Sequence, residues 1–474
     1  MKNIHPLYLS GNFLSTNHTL PVINPYTNQI IQYVSLADES VIESAIQKAY
    51  QAFSLTKTLS SYHRYKILSF IAQQIEQQKE EFATLIATEA AKPYKYAIAE
   101  VNRAIQTFTI ASEESKRLPY EYFSLDTTSD QLQREALVKR FPVGVVLAIT
   151  PFNFPLNLVA HKIAPAIAAG CPFILKPASV TPLTALKLAE IIHQTEWPKE
   201  AASVLPCPSS IIEKYLRHPL VAKVSFTGSP AVGWKIKSIA ASKKVTLELG
   251  GNAATIITES ADVEKIIDHC VVAGFAYSGQ ICIHTQRFFV HPAHFQKFTQ
   301  LFIEKVKQMR YGDPLDKSTE ISVMIDEANA IRTEQWVQEA IEKGAKFLLS
   351  GKRNGNYHEP VILTNTNNSM KVYAEEVFAP VVSIEQYNGD IKEAVQRVND
   401  SKYGLQCGVF TNDIKELNYC FEHIECGGII HNACSILRHD AMPYGGIKES
   451  GFGREGVKYA IEEMTERKLL VKEN

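Results

Sequence analysis

The first part of the chain carries a helical pattern of apolar residues. In the segment DESVIESAIQKAYQAF, acidic residues precede apolar positions that share one helix face, namely Val41, Ile42, Ala45 and Ala49. Similar patterns continue along residues 38–112. We therefore predict a helix-rich scaffold over this range.

Residues 143–258 alternate short apolar strands with amphipathic helices. Buried strands are predicted at VGVVLAIT, CPFILKPAS, AKVSFTGS and KVTLELGG, with helices between them. The first of these helices is expected to end at Gly170, and the next to begin with Thr181 as its cap and Pro182 in its first turn. Such repeats predict a parallel sheet covered by helices, which binds ligands at the carboxyl ends of its strands.

A second α/β set follows over residues 262–430. Its first segment, DVEKIIDHCVVAGFAYSG, is predicted as a helix that leads straight to Cys282. Two other segments, residues 118–140 and the tail ERKLLVKEN, have extended, polar sequences. Both could pair with strands of another subunit.

The amino-acid composition of the chain limits the kinds of binding partner that we expect. The 474 residues include 49 basic and 50 acidic side chains without a long run of one sign, which argues against nucleic acid or an anionic membrane as main partner. The longest apolar stretch, residues 163–175, is too short to span a bilayer, and the amino terminus lacks the pattern of a secretory signal. We expect a soluble, cytoplasmic protein. Its eight cysteines have no C-x-x-C spacing, so neither a disulfide framework nor a metal site is predicted.

Two stretches at predicted strand ends could contact a phosphate. FTGSPAVGWK has Gly228 and Gly233 between a strand and a helix, but it matches neither the dinucleotide-binding pattern nor the P-loop. A helix amino terminus still offers backbone donors to an anion, although ordinary helix entry is the commoner explanation. Lys176, at the end of the strand in ILKPAS, could reach a ribose hydroxyl or a phosphate, and a solvated loop lysine is the alternative.

Three side chains at the ends of predicted elements form a chemical set. Asn153 lies between two prolines in TPFNFP, Glu248 ends the strand in LELGG, and Cys282 follows a predicted helix. An amide donor, a carboxylate and a thiol are the parts needed for acyl chemistry through a thioester. Each residue alone has an ordinary explanation, because single cysteines are usually inert and Asn or Glu beside Pro or Gly usually belongs to a turn. The residues by themselves indicate an α/β enzyme with a candidate cysteine nucleophile.

Seven stretches, in their order and spacing, resemble the aldehyde dehydrogenase superfamily. They are TPFNFPLNL, KPAS followed by TPLTAL, VSFTGSPAVGWKI, VTLELGGNAA, GQICIHTQR, EEVFAPVV and MPYGGIKESGFGREG. The resemblance covers nearly the whole chain and implies an α/β fold with a Rossmann-type cofactor domain, an α/β catalytic domain and a small β oligomerisation element. The implied boundaries are 1–117 and 141–249 for the cofactor domain, 250–442 for the catalytic domain, and 118–140 and 455–474 for the oligomerisation element.

The resemblance also implies a mechanism. Cys282 stands at the nucleophile position of the family and would add to an aldehyde, with the oxyanion held by the Asn153 amide and the Cys282 backbone N–H. Hydride transfer to NAD or NADP would leave a thioester. Glu248 would then activate the water that releases the carboxylic acid.

The cofactor site is implied in the same way. Lys176 resembles the ribose-binding lysine of the family, whereas Glu376 and Phe378 resemble the pair that holds the nicotinamide ribose and packs near the ring. The other implied cofactor residues are Thr150, Pro151, Phe152, Ser179, Thr227, Gly228 and Ser229.

Three positions depart from the common pattern of the family. One is Ala379 in EEVFAPVV, where glycine is usual, and we expect this small change to be tolerated. Phe152 stands where many members have tryptophan, and its packing role is retained. Ser179 stands where NAD-preferring members often carry glutamate. Without that carboxylate a 2′-phosphate meets no repulsion, so we expect NADP to be accepted, without excluding NAD.

Within the superfamily, the chain most resembles the lactaldehyde dehydrogenase-like group, on stretches that include SPAVGWKI, GDPLD and MPYGGIKESG. That group includes enzymes for small hydroxylated or anionic aldehydes. Arg438 and His439 precede the glycine-rich stretch and could present positive charge to an anionic substrate. A surface Arg–His pair is the alternative.

Two other functions remain open. In a CoA-acylating dehydrogenase, coenzyme A would take the acyl group in place of water, but Glu248 argues against this because its water-activating carboxylate would be dispensable. A catalytically silent structural or binding member of the fold would typically lack the thiol or the carboxylate. The two extended segments resemble the oligomerisation element of the family, which implies a homodimer or a homotetramer.

Overall fold

The computed structural model describes residues 4–129 and 134–473. Within them the chain forms two large sheets flanked by helices, together with a three-stranded antiparallel sheet. The predicted α/β class is confirmed. Parts of the predicted boundaries, at residues 1–3, 130–133 and 474, lie outside the described residues. No helix in the described part of the chain is long and apolar enough to cross a membrane.

Short strands and four helices form the first part of the chain. They are β1 (Ile4–His5), β2 (Leu7–Leu9), β3 (Asn12–Leu14), β4 (Thr19–Ile23), β5 (Ile30–Ser35), α1 (Glu39–Thr56), α2 (Ser61–Gln77), α3 (Lys79–Ala90) and α4 (Tyr94–Ser115). Helix α1 begins where the Asp38 carboxylate accepts the backbone N–H of Val41, and its predicted apolar face is buried. The predicted helix-rich scaffold is confirmed.

Two α/β sets follow, and a third group of elements ends the chain. The first set contains β6 (Tyr120–Ser124), β7 (Arg134–Pro142), β8 (Val145–Ile149), α5 (Asn157–Ala169), β9 (Phe173–Lys176), α6 (Leu183–His193), β10 (Ala202–Val204), α7 (Ser209–Glu213), β11 (Val221–Thr227), α8 (Pro230–Ile239) and β12 (Lys244–Glu248). The second contains β13 (Ala254–Ile257), α9 (Val263–Phe275), β14 (Arg287–Val290), α10 (Pro292–Lys307), α11 (Glu327–Glu342), β15 (Lys346–Leu349), β16 (Arg353–Asn354), β17 (Tyr357–His358), β18 (Val361–Thr364), α12 (Lys371–Ala374), β19 (Val381–Gln386), α13 (Ile391–Asn399), β20 (Tyr403–Gly404), β21 (Gln406–Phe410), α14 (Ile414–His423) and β22 (Gly428–His431). The last elements are β23 (Ile447–Lys448), β24 (Gly451–Phe452), α15 (Val457–Glu463) and β25 (Thr465–Glu473).

The first large sheet has the strand order β24–β12–β11–β8–β9–β10–β2–β3. Its five strands from β12 to β10 run parallel, as predicted from the strand and helix pattern. In adjacent strands Ile149 pairs with Lys176, and Thr227 pairs with Glu248. The carboxyl ends of these strands therefore bring Lys176, Thr227 and Glu248 to one edge of the sheet.

The second large sheet has the order β15–β18–β19–β14–β13–β21–β22 and is parallel except for β15. The five residues 249–253 connect it to the first sheet, because β13 begins soon after β12 ends. Backbone from this connection contacts the loop of the predicted nucleophile. A Cβ on Gly251 would lie only 2.5 Å from the Cys282 carbonyl oxygen, which explains a glycine at this close approach.

The start of α6 differs from the prediction that Thr181 caps it. The Thr181 hydroxyl is buried and has no hydrogen-bond partner in the described part of the chain. Instead, the carboxylate of Glu89, at the end of α3, accepts the backbone N–H groups of Leu183 and Thr184 at 2.9 and 3.0 Å. The free backbone N–H groups at the helix start are thus hydrogen-bonded to an acidic side chain that is distant in the sequence.

The third sheet combines the two segments predicted to be extended. Strand β7 pairs antiparallel with β6 on one side and with β25 on the other, and Leu470 lies opposite Leu137. Apolar side chains on its outer strands are exposed, among them Tyr122, Phe123, Leu469 and Leu470. The extended conformation is confirmed, whereas the oligomerisation role stays a prediction.

Candidate active site

Glu248 is the last residue of β12 and only 3% of it is exposed. Neither of its carboxylate oxygens has a hydrogen-bond partner in the described residues. Burial, reinforced by the negative charge of Glu455, raises the pKa of the Glu248 carboxyl, while the positive charges of Arg438 and Lys162 oppose the rise. A buried carboxylate without donors is a base that accepts a proton readily.

Cys282 does not follow directly on a helix. Helix α9 ends at Phe275, and a tight turn at Tyr277 and Ser278 follows, in which both residues have left-handed φ angles of 50° and 53°. The Tyr277 hydroxyl donates to the Ala90 carbonyl at 2.9 Å, and the Ser278 hydroxyl donates to the Ser322 carbonyl at 2.7 Å. These two bonds hold the strained turn, so the prediction of a helix leading straight to the cysteine is wrong.

The thiol of Cys282 is partly buried, and its sulfur lies 3.1 Å from the Tyr444 hydroxyl oxygen. Burial raises the pKa of this thiol to about 11, while the hydrogen bond from Tyr444 and the positive charge of Arg438 oppose the rise. The resting thiol is therefore protonated at neutral pH, and chemistry at sulfur requires further stabilisation of the thiolate.

Asn153 lies in the loop after β8 and is buried. Its side-chain amide donates to the Gln280 carbonyl at 3.0 Å, which ties it to the loop that carries Cys282. Asn153, Glu248 and Cys282 line the same cavity, which we call the front cavity and whose volume is about 310 Å³. The structure thus brings together the three residues of the predicted chemical set.

The front cavity also contains most of the residues predicted to hold a cofactor. They are Pro151, Phe152, Thr227, Gly228, Ser229, Glu376 and Phe378. The buried Thr227 hydroxyl has no partner in the described residues, and Ser229 immediately precedes α8. The Phe152 and Phe378 rings meet edge to face at 6.0 Å. An unpaired hydroxyl, a helix amino terminus and two aromatic rings suit a phosphate-linked, ring-bearing ligand.

Glu376 and Arg332 also line the front cavity. The backbone N–H of Gly251 donates to the Glu376 carboxylate at 3.1 Å, and burial raises the pKa of this carboxyl to about 7. Arg332, on α11, donates to the Val377 carbonyl at 2.7 Å. Sequence reasoning missed Arg332 because no motif surrounds it.

Three predicted cofactor residues are not part of the lining of the front cavity. Lys176 is buried, and its ammonium donates to the Pro177 carbonyl at 3.2 Å. The backbone N–H of Thr150 donates to the Lys176 carbonyl at 3.2 Å, so both residues remain at the ligand-binding edge of the sheet. Ser179 lines a separate cavity of about 340 Å³ that also includes Ile325 and Asn356.

Cys282 also lines a second cavity of about 170 Å³, which we call the rear cavity. Arg438 faces it with a side chain that is only 6% exposed. The guanidinium lies 3.6 Å from the centre of the Tyr444 ring, and its Nη2 lies 3.7 Å from the Glu455 carboxylate. His439 is exposed and does not line the rear cavity, because its ring accepts the backbone N–H of Ala441 in the adjacent turn.

Two further cations of the rear cavity were missed by sequence reasoning. Lys92 pairs with Glu100, and its ammonium lies 3.6 Å from the centre of the Phe154 ring. Arg103, on α4, pairs with Asp440 at 2.8 Å. Neither residue belongs to a recognisable motif; Lys92 lies in the loop after α3, and Arg103 lies on α4. The rear cavity is therefore lined by three basic side chains, counting Arg438, and by the carboxylate of Glu100.

Comparison with known proteins agrees with this geometry. Residues 13–470 match the model of the Aldehyde dehydrogenase family. The 3-sulfolactaldehyde dehydrogenase of Priestia aryabhattai is 44% identical over 466 residues, which cover 98% of this chain and 97% of that protein. The crystal structure of an aldehyde dehydrogenase from Physcomitrella patens, in complex with the reaction product succinate, has a TM-score of 0.97 and 40% identity and covers 100% of this chain and 98% of that chain.

The structure of a third relative contains a nicotinamide cofactor. The glyceraldehyde-3-phosphate dehydrogenase of Methanocaldococcus jannaschii, complexed with NADP, has a TM-score of 0.91 and 38% identity, with 96% of this chain and 100% of that chain covered. The comparisons confirm the predicted enzyme class and the nicotinamide cofactor, as well as the fold. The chain belongs to the aldehyde dehydrogenase family.

Proposed function

We propose that this enzyme oxidises a small anionic aldehyde to its carboxylic acid through a thioester on Cys282, with NADP accepted as cofactor. One observation carries the proposal. The thiol lies where the front cavity, which contains Glu248 and Glu376, meets the rear cavity, which contains Arg438. If the substrate tail binds in the rear cavity, the aldehyde carbon would lie next to the Cys282 sulfur. The front cavity would then hold the cofactor.

The first step is addition of the sulfur to the aldehyde carbon. Loss of the thiol proton to solvent gives a thiolate, which forms the C–S bond as the carbonyl oxygen becomes an oxyanion. The Asn153 amide and the backbone N–H of Cys282 are the donors proposed for that oxyanion. Burial raises the pKa of the thiol to about 11 and so disfavours the thiolate. The hydrogen bond with Tyr444 and the positive charge of Arg438 favour the thiolate and therefore promote this step.

The front cavity fits a nicotinamide cofactor. Its unpaired Thr227 hydroxyl, the Glu376 carboxylate and the start of α8 at Ser229 supply polar groups, and Phe378 supplies an aromatic surface. When bound, the cofactor accepts the hydride that the tetrahedral adduct loses as the thioester forms. Ser179, three residues after Lys176 in the sequence, presents no negative charge to a 2′-phosphate, which supports acceptance of NADP.

Hydrolysis of the thioester completes the reaction. Glu248 would take a proton from water while the water oxygen attacks the acyl carbon. The C–S bond then breaks with its electron pair on sulfur, which releases the acid, and the thiolate would regain its proton from Glu248. Its raised pKa supports this role, because a base is most effective when its pKa approaches the working pH. A buried carboxylate with two unpaired oxygens also favours water over coenzyme A as acceptor.

The charge of the rear cavity supports an anionic substrate tail. Arg438 has two guanidinium nitrogens, Nε and Nη2, without hydrogen-bond partners in the described residues, so it can bind a carboxylate, sulfonate or phosphate. Arg103 and Lys92 add positive potential, although both already have acidic partners. The relatives named for sulfolactaldehyde, glyceraldehyde 3-phosphate and a succinate product suit the same substrate class.

We extend the proposal to the domain organisation. The cofactor domain would comprise residues 1–117 and 141–249 and the catalytic domain residues 250–442, with the active site between them. The three-stranded sheet, with the exposed Leu469 and Leu470, would form the subunit contact of a homodimer or homotetramer.

The test is formation of reduced cofactor from NAD and from NADP, without coenzyme A, over succinic semialdehyde, glyceraldehyde 3-phosphate, lactaldehyde and propanal. We expect the anionic aldehydes to give the highest kcat/KM and a Cys282→Ala variant to give no turnover. Turnover that appears only when coenzyme A is added would overturn the hydrolytic step. Equal kcat/KM for propanal and the anionic aldehydes would overturn the substrate class.

A further inference from the structure

A separate cavity lies between α2, the end of α4 and the three-stranded sheet of β6, β7 and β25. We call it the sheet cavity, and its volume is about 470 Å³. None of its lining residues carries a carboxylate, whereas five are basic: Lys57, Arg64, Lys116, Lys139 and Arg140. Its size lies within the usual range of small-molecule sites.

Arg64 is the buried charge of the sheet cavity. Only 7% of the residue is exposed, and no carboxylate of the described residues forms an ion pair with it. Its Nη1 donates to the Ala169 carbonyl at 3.2 Å and its Nη2 to the Ser61 hydroxyl at 3.3 Å, but its Nε has no partner in the described residues. Because a carbonyl at a helix end carries only partial negative charge, the buried guanidinium lacks a full counter-charge among the described residues.

Two lysines at the cavity are also without acidic partners. The Lys139 ammonium faces the rings of Tyr120 and Phe141, at 5.5 and 5.4 Å from their centres, and the Lys57 ammonium faces the Phe53 ring at 5.7 Å. Neither lysine has an ion pair among the described residues. Both ammonium groups are therefore available to an incoming anion.

The other two cations are partly neutralised. Lys116 pairs with Glu113 at 3.0 Å, and Arg140 lies 3.7 Å from the Glu462 carboxylate. Neither acidic residue lines the cavity. The positive potential of the sheet cavity therefore persists, because the other three cations of its lining have no acidic partner in the described part of the chain.

The amino terminus of α2 adds backbone donors. Ser60 caps the helix by accepting the N–H of His63, and both Ser60 and Ser61 line the cavity. The N–H of Ser61 precedes the first intrahelical bond and points outward along the helix axis. Helix α2 has 17 residues, so its amino terminus carries the positive end of a substantial dipole.

We propose that the sheet cavity binds a small phosphate-bearing anion, with Arg64 in its depth and Lys139 at its rim. A multiply charged phosphate matches several cations around a helix amino terminus better than a single carboxylate does. The site shares no residue with either active-site cavity and does not depend on the proposed oxidation. The ligand would connect α2 to β7 and so stabilise the contact between the helices and the three-stranded sheet.

The test is calorimetric titration with inorganic pyrophosphate at constant ionic strength, on enzyme saturated with NADP so that the phosphate subsites of the cofactor are filled. We expect one equivalent to bind per chain and Lys139→Gln to weaken binding about tenfold, as loss of one charge-assisted contact requires. Arg64→Gln should weaken it further. Lys66→Gln, on α2 but outside the cavity lining, is the matched control and should bind like the wild type.

Two results would overturn the proposal. One is the absence of binding to the wild-type enzyme. The other is binding that Arg438→Gln abolishes and Lys139→Gln leaves unchanged, because the anion would then occupy the rear cavity. Because Lys139 is exposed, its variant remains informative if Arg64→Gln fails to fold.

Discussion

The hydroxyl of Tyr444 lies 3.1 Å from the sulfur of Cys282, and the guanidinium of Arg438 lies 3.6 Å from the centre of the Tyr444 ring. Burial raises the pKa of the Cys282 thiol to about 11, and these two neighbours oppose the rise. The tyrosine therefore links the residue that would bind a substrate tail to the nucleophile.

Replacing Tyr444 with phenylalanine should make Cys282 less reactive. A hydrogen bond to a charged group contributes about 1.5–3 kcal/mol, so its loss should lower the thiolate fraction at neutral pH by about tenfold or more. The measurement is the rate of inactivation by iodoacetamide as a function of pH. Tyr387→Phe, which changes a buried tyrosine in a different core cluster, is the control. An unchanged pH profile in Tyr444→Phe would exclude this role of the hydroxyl.

Glu248→Gln should separate hydride transfer from hydrolysis. The variant retains the thiol and the Asn153 amide, so one equivalent of reduced cofactor per active site should form in a rapid burst. Steady turnover should then fall by a factor of about 10²–10⁴, the usual contribution of a general base. Stopped-flow absorbance of the reduced cofactor gives both phases. Steady turnover equal to that of the wild type would mean that another group activates the water.

Arg438→Ala should discriminate between substrates by charge. Loss of a charge-assisted contact of about 1.5–3 kcal/mol predicts a rise in KM of roughly 10- to 100-fold for succinic semialdehyde. The KM for propanal, which has no charged tail, should change much less. His439→Ala is the matched control, because the neighbouring side chain is exposed and does not line the rear cavity. Equal changes in KM for both aldehydes would refute the assignment of Arg438.

The proximity of Asn153, Glu248 and Cys282, the proposed catalytic residues, could be predicted in part from local sequence order. Asn153 lies in the loop after β8 and Glu248 is the last residue of β12. Both strands belong to the parallel part of one sheet, where the carboxyl ends of the strands lie at the same edge. The resemblance to a family then connected Cys282 with them. Sequence periodicity did not reveal the left-handed turn at Tyr277, since hydrogen bonds to residues far along the chain hold it.

Contacts between distant elements could not be predicted. Glu89 replaces Thr181 at the start of α6, and Lys92 and Arg103 enter the rear cavity from the loop after α3 and from α4. These residues have ordinary helical surroundings in the sequence, and their roles arise only when the helices pack. His439 illustrates the converse, because adjacency to Arg438 in the sequence does not bring its side chain to the same cavity.

Introducing a carboxylate at Ser179 should discriminate against NADP. A 2′-phosphate near the new carboxylate would meet like charge, so Ser179→Glu should lower kcat/KM for NADP by about tenfold or more while that for NAD changes little. Steady-state rates with each cofactor at saturating aldehyde provide the measurement. Ser54→Glu, on the exposed face of α1, controls for the added charge. A wild-type enzyme that uses NAD and fails completely with NADP would contradict the premise.

Glu248→Gln should also stabilise the protein, increasingly as the pH rises. The pKa of the buried Glu248 carboxyl is raised above its ordinary value of 4.5, so the folded state binds this proton more tightly than the unfolded state does. The stabilisation that this tighter proton binding contributes is therefore complete below about pH 4.5, and it is lost as the pH rises through the folded-state pKa of Glu248. Each pH unit between the two pKa values costs the wild type about 1.4 kcal/mol, which glutamine does not lose.

Thermal unfolding of the Glu248→Gln and wild-type proteins at pH 5, 7 and 9 checks this expectation. The Tm of the variant should exceed that of the wild type by a margin that grows with pH, then becomes constant above the folded-state pKa. The exposed Glu422→Gln on α14 should show no such trend. A margin that is independent of pH would mean that Glu248 ionises as easily in the folded protein as in the unfolded chain, and its raised pKa could not then explain its role as a base.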